Sequence, residues 1–98
     1  VLEKRTTILK RFPLEDLLGT GPVRERDYRA RLDAFDYAPY RDQAVLLPWI
    51  HQVELPIWVY LMATARLTEV AAVLSFGEEC SPTVLCQRKR IEPPAQVV

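Results

Sequence analysis

Ninety-eight residues make one domain, with no room for two hydrophobic cores. Apolar residues make up 49% and charged residues 27%, and 13 Lys and Arg balance 13 Asp and Glu. A chain of zero formal charge has no global field to draw it onto nucleic acid or an anionic bilayer, so neither is an expected partner. The most apolar stretch, 44–65, is interrupted by Pro48, His51, Glu54 and Pro56, which excludes a membrane-spanning reading.

In chain order, Thr6 to Phe12 carry the β-branched and apolar residues of a strand. Pro13 suits a first helical position and Gly19 a helix end. Between them Leu14, Leu17 and Leu18 share a face, which predicts a short helix. Thr20-Gly21-Pro22 is a turn. From Val23 to Phe35 the apolar residues Tyr28, Leu32 and Phe35 recur at i, i+4 and i+7, the spacing of an amphipathic helix. Its basic residues, Arg24 to Arg31, alternate with Glu25 and Asp27 and form a solvated face. The stretch Asp36–Asp42 is a loop whose Tyr37 and Tyr40 fold back onto the core.

Gln43 to Ile50 is a nearly continuous apolar run, expected of a strand covered on both faces, with Pro48 near its end. Pro56 opens a helix expected to run to about Ala71, apolar nearly all round over Ile57–Ala63. Val73–Phe76 reads as a second buried strand and Thr83–Gln87 as a short final one. Strand, helix, strand is a βαβ unit, so the strands at 43–50 and 73–76 are predicted to be parallel. The fold class is α/β: a small βαβ-containing domain with a short parallel or mixed sheet and two main helices. It spans 1–90, and 91–98, with Pro93-Pro94, is expected to be a disordered tail. Leu46, Leu61, Leu67, Val73 and Leu74 are the expected core.

Ligands of open parallel sheets bind beyond the carboxyl ends of the strands. Here that edge comprises Trp49 to Gln52 and Gly77 to Thr83. It places His51 and Cys80 together as the candidate catalytic pair, with Glu78 and Ser81 as candidate binding residues of the strand-edge loop. A Cys beside a His is a potential nucleophile or sulfur carrier. Against that, Glu78 and Glu79 immediately precede Cys80, and negative neighbours disfavour the thiolate. A lone His at a strand end is more often structural. Cys86, on an apolar strand, is read as core. Nothing resembles a secretory leader, so the expected setting is cytoplasmic and the expected state of Cys80 and Cys86 is free thiols, although a hairpin joining the two stays open. Two Cys and one His lack metal-site spacing, and three scattered Gly make no phosphate loop, so no metal and no cofactor are expected.

Several segments carry a resemblance when taken in order: Arg26-Asp27-Tyr28-Arg29, Tyr40-Arg41-Asp42-Gln43, Pro56-Ile57-Trp58-Val59-Tyr60-Leu61-Met62 and Phe76-Gly77-Glu78-Glu79-Cys80-Ser81. Over Leu14 to Lys89 the chain resembles the domain-of-unknown-function family 2480. Members of that family resemble a doubled unit, two related halves each with a strand, a helix opened by Pro, and a strand ending in Phe-Gly. This chain is similar to one such unit with its closing segment. It departs from the pattern at Trp49, which stands near a position where Cys is common, and at Glu79, which replaces Pro. The resemblance implies a scaffold role or a place in sulfur metabolism.

The leading expectation is a non-enzymatic protein-interaction module, self-associating or bound to a related domain. Its expected interface is Trp58, Tyr60 and Met62, since the helix carries more apolar surface than one thin sheet covers. The alternative is a thiol-dependent accessory protein of sulfur or iron–sulfur cluster metabolism acting through Cys80.

Overall fold

The computed structural model describes residues 8–88 and 96–97. Strand β1 (Ile8–Arg11) leads into a short helix α1 (Leu14–Leu18), and helix α2 (Glu25–Ala34) follows. A 3-10 turn (Ala38–Tyr40) then delivers the chain to strand β2 (Ala44–Pro48). Helix α3 (Ile57–Leu67) crosses back to strand β3 (Val73–Glu78), and β3 folds over into strand β4 (Ser81–Gln87). The strand order is β4-β3-β2-β1-β5, where β5 is Gln96–Val97. Of the expected tail, 91–98, only these two residues are described, as a strand parallel to β1; the remainder lies outside the described residues.

The predicted βαβ unit is present. β2 and β3 pair in parallel, from Ala44 opposite Val73 to Pro48 opposite Gly77, and α3 joins them. β1 also runs parallel to β2, with Leu9 opposite Ala44. Among the described strands only β4 is antiparallel, so the sheet is mixed. The order 1-2-3 means that both crossovers step in the same direction across the sheet. Crossovers of one hand that step one way put their helices on one face. Accordingly α1, α2 and α3 all bury their apolar residues in the cluster that holds Val45, Leu47 and Leu74. The intervening residues of the strands point the other way. Leu9, Ala44, Leu46 and Val73 form a second, separate buried cluster. Burial on both faces is what the unbroken apolar run of β2 requires, and all five of its residues are buried.

Each helix can be traced to its sequence. Pro13 stands at the N-cap of α1 and Gly19 closes it with φ +75 and ψ −164, an extended positive-φ conformation that glycine adopts without steric cost. In α2, Tyr28 and Leu32 are fully buried, as their spacing predicted. The aromatic residues after α2 do fold back. Phe12 packs edge-on to Phe35 at 5.0 Å between ring centroids and to Tyr40 at 5.8 Å, and stacks with Tyr37. The Tyr37 hydroxyl donates to the Leu32 carbonyl at 2.6 Å, tying the loop to the end of α2.

Two expectations about α3 are corrected. The helix ends at Leu67 rather than near Ala71, and residues 68–70 form a turn before β3. Leu61 is not core: it is 60% exposed, whereas Leu46, Leu67, Val73 and Leu74 are buried. The reason is helical periodicity. Val59, Tyr60, Ala63 and Leu67 face the sheet, which turns Ile57, Leu61 and Ala65 to solvent. A segment apolar on every side gives no contrast from which to choose the inward face.

Candidate functional site

The carboxyl ends of β1, β2 and β3 open into a cleft of about 560 Å3. Arg11 and Glu15 form one wall, residues 48–52 the second, and Gly77 to Cys80 the third. This is the strand edge singled out from the sequence, and parallel pairing of β2 with β3 is what brings its two segments together.

The backbone at the cleft is anchored. Trp49 N–H donates to the Gly77 carbonyl at 3.1 Å, continuing the β2–β3 ladder by one bond. The next residue, Ile50, is buried, and its N–H donates to the Tyr60 hydroxyl at 3.1 Å. Trp49 and His51 are therefore held on either side of a fixed residue, and both project outward. Their rings meet at 4.4 Å between centroids, tilted by 45°. Gly77 has φ +122, a backbone conformation that a residue with a side chain adopts only under strain. The chain then reverses through Glu79 and Cys80, with Glu78 paired to Ser81 across the turn.

Glu78 sits at the centre of the polar groups. Its Oε1 lies 3.0 Å from His51 Nε2, and its Oε2 accepts from the Cys80 thiol at 3.7 Å. His51 and Cys80 thus share a site, as expected from sequence, but a carboxylate stands between them. The direct Cys–His pair that nucleophilic catalysis calls for is not formed. Ser81 is exposed at the start of β4, beyond the cleft lining.

Across the cleft, Arg11 forks onto Glu15, with Nη1 to Oε1 at 3.0 Å and a second contact from Nη2 to Oε2. Its Nε is 3.4 Å from Glu79 Oε1. The guanidinium holds the Glu15 carboxyl below its ordinary value, chiefly through the side-chain hydrogen bond, and the carboxylate in turn raises Arg11. Sequence reasoning passed over Arg11 and Glu15 as site residues. The signal was the carboxyl end of the strand at Thr6–Phe12, but nothing in the residues aligned that strand parallel to β2.

The expected interface residues lie elsewhere, and so do two loop carboxylates. Asp42 stands at the opposite, amino end of β2, where Arg88 Nη2 binds it at 2.8 Å. Asp36 accepts from the Ala38 N–H at 3.1 Å. Tyr60 is buried against Phe76, and Trp58 and Met62 are half-buried against the helix-side core, with Trp58 6.0 Å from Tyr28. Trp58, Tyr60 and Met62 therefore do not form one exposed face. Among the described residues the large apolar side chains that are exposed are Trp49, Val53, Ile57, Leu61, Val84 and Leu85. Cys80 is exposed and Cys86 half-buried; both are free thiols, so the hairpin does not join them. Among the described residues no group of three or more His, Cys, Asp or Glu is arranged to hold a metal ion. No helix there is long and apolar enough to cross a membrane.

β4 is the second feature of note. It pairs with β3 on one side, and the described residues place no strand on its other side. Six of its seven residues are exposed.

In comparisons with known proteins, the model of a family described as "Protein of unknown function (DUF2480)" matches residues 3–92. No curated protein and no solved structure matches the chain.

Proposed function

The chain belongs to the DUF2480 family, and on that premise we propose that it is a non-enzymatic association module that pairs through the β4 edge, in the first instance with a second copy of itself. The observation that carries this reading is the character of that edge. Ser81 to Gln87 contain no charged residue, and Val84 and Leu85 are 59% and 49% exposed. A β-bulge leaves Leu85 without a partner opposite the Leu74–Ser75 step, so side-chain alternation is broken there, and Val84 and Leu85 both stand out along the edge. Edge strands that must stay solitary usually carry Lys, Glu or Pro. Pro82 is the one such residue here; it confines pairing to Thr83–Gln87, a segment whose β-bulge at Leu85 divides the edge into two short stretches. A two-fold axis beside this segment extends two sheets into one and covers Val84 and Leu85 in both copies. The contact envisaged from sequence thus moves from α3 to β4, because Tyr60 is buried. The thiol-dependent alternative finds no contact in its favour, since Glu78 separates His51 from Cys80.

Light scattering after size exclusion tests the proposal. The expected mass is twice 11.3 kDa, and Val84→Lys with Leu85→Lys is expected to give a folded monomer whose melting temperature, unlike that of the wild type, does not rise with protein concentration. A wild-type monomer at about 100 μM, a concentration that populates any dimer held by more than roughly 5.5 kcal/mol, refutes self-pairing. So does a dimer that survives both substitutions.

A further inference from the structure

We infer that the strand-end cleft is a binding site for a small organic cation, an ammonium or guanidinium group carried on a planar or apolar body. The inference is independent of pairing at β4, which is a different part of the surface.

Size and position come first. A cleft of about 560 Å3 falls within the roughly 300–1,000 Å3 of small-molecule sites, and it lies where parallel sheets present ligands.

Charge decides the sign of the ligand. Glu15, Glu78 and Glu79 put three carboxylates on the cleft, against one guanidinium among the described residues. That guanidinium, Arg11, is already engaged by two of the three. An entering anion meets net negative charge and finds the fork of Arg11 occupied. An entering cation meets Glu78, whose oxygens are engaged by the His51 imidazole and the Cys80 thiol but by no Lys or Arg in the ion pairs described.

The wall decides the body of the ligand. Trp49 is 51% exposed, yet it is not on a slack loop, because the Trp49 N–H is bonded to Gly77 and the Ile50 N–H to Tyr60. A half-exposed indole on an anchored backbone is a preformed surface for the face of a cation or a flat ring. His51, tilted against the indole and held by Glu78, fixes the distance between the aromatic wall and the carboxylate. The cleft therefore offers an aromatic face and a negative charge on either side of His51, the two features that recognise an amine on an apolar stem.

Titration of the full chain with phenethylammonium, followed by amide and indole NMR shifts, tests the inference. Saturable shifts are expected at the Trp49 indole N–H and at the amides of residues 49–51 and 77–80. The neutral N-acetyl analogue is expected to bind more weakly, and phenylacetate not to saturate. Glu78→Gln, which keeps the size of the side chain, is expected to weaken binding up to about fivefold, the worth of an exposed ion pair. Trp49→Ala is expected to weaken binding as read at the amides of residues 77–80. Absence of saturation by phenethylammonium up to about 10 mM, where a Kd of about 1 mM is already visible, overturns the inference. Stronger binding of phenylacetate, or shifts that map outside the cleft, overturn it equally. If Trp49→Ala does not fold, the contrast between Glu78→Gln and wild type decides.

Discussion

Replacing Tyr28 with Phe isolates one atom in the centre of the helix layer. Tyr28 is fully buried, and its hydroxyl donates to the Val59 carbonyl at 2.7 Å, a bond that joins α2 to α3. Two effects set the cost. The first is the hydrogen bond itself, whose net worth is about 0.5–1.5 kcal/mol. The second is the fate of the acceptor. Val59 lies inside α3, so its carbonyl also accepts from the helix's own N–H groups and is not left unsatisfied. The larger penalty of an orphaned buried group, about 1–3 kcal/mol, therefore does not apply. The ring, with its contact to Trp58, is retained. Tyr28→Phe is expected to cost about 1 kcal/mol, which for a domain of this size lowers the melting temperature by about 4–8 °C. Urea denaturation should show a lower midpoint with an unchanged slope. A cost below about 0.3 kcal/mol would refute the reasoning, because it would mean that the hydroxyl is as well served by water as by Val59. A cost above about 3 kcal/mol would also refute it, by showing that the carbonyl depends on Tyr28 alone.

Leu46→Ala, in the second buried cluster, is expected to cost about 2–5 kcal/mol, while Leu61→Ala, on the solvent side of α3, should stay within about 0.5 kcal/mol in the same denaturation assay. Burial raises the phenols of Tyr28, Tyr37 and Tyr40 above their ordinary value of 10.0. The native state thus holds these protons to higher pH than the unfolded chain does. Their contribution is complete below pH 10 and is lost as pH rises above it, so the melting temperature should fall steeply there. Tyr28→Phe should blunt that fall. Cys80→Ser should leave the melting temperature unchanged, and in the wild type Cys80 should be alkylated before Cys86, as peptide mapping after brief treatment would show, because only Cys80 is exposed.

The candidate cleft was half legible in the residues. Strand runs ending at Ile50 and Phe76, with Pro56 opening a helix between them, were enough to place His51 and Cys80 on one sheet edge. The rule that does this depends only on local pattern and on the handedness of crossovers. That Glu78 would take the position between them was not legible. It depends on the turn at Glu79–Cys80 and on which way each side chain leaves its strand, and no residue type encodes that alone.

Local chemistry settled much of the architecture. Pro13, Gly19 and Pro56 set helix boundaries through backbone restrictions that each residue carries with it, and the recurrence of Tyr28 and Leu32 named the inward face of α2. Where the pattern had contrast, residues reported their own burial. Where it had none, in Ile57–Ala63, any face of the helix satisfied the composition. Only packing against β2 and β3 selected Tyr60 to go in and Leu61 to stay out. The same holds for the sheet. Hydrophobic periodicity predicts that a strand exists, but its neighbours are long-range pairings worth forming only in concert. β1 beside β2, and with it Arg11 beside Glu79 at the mouth of the cleft, was decided by the tertiary structure.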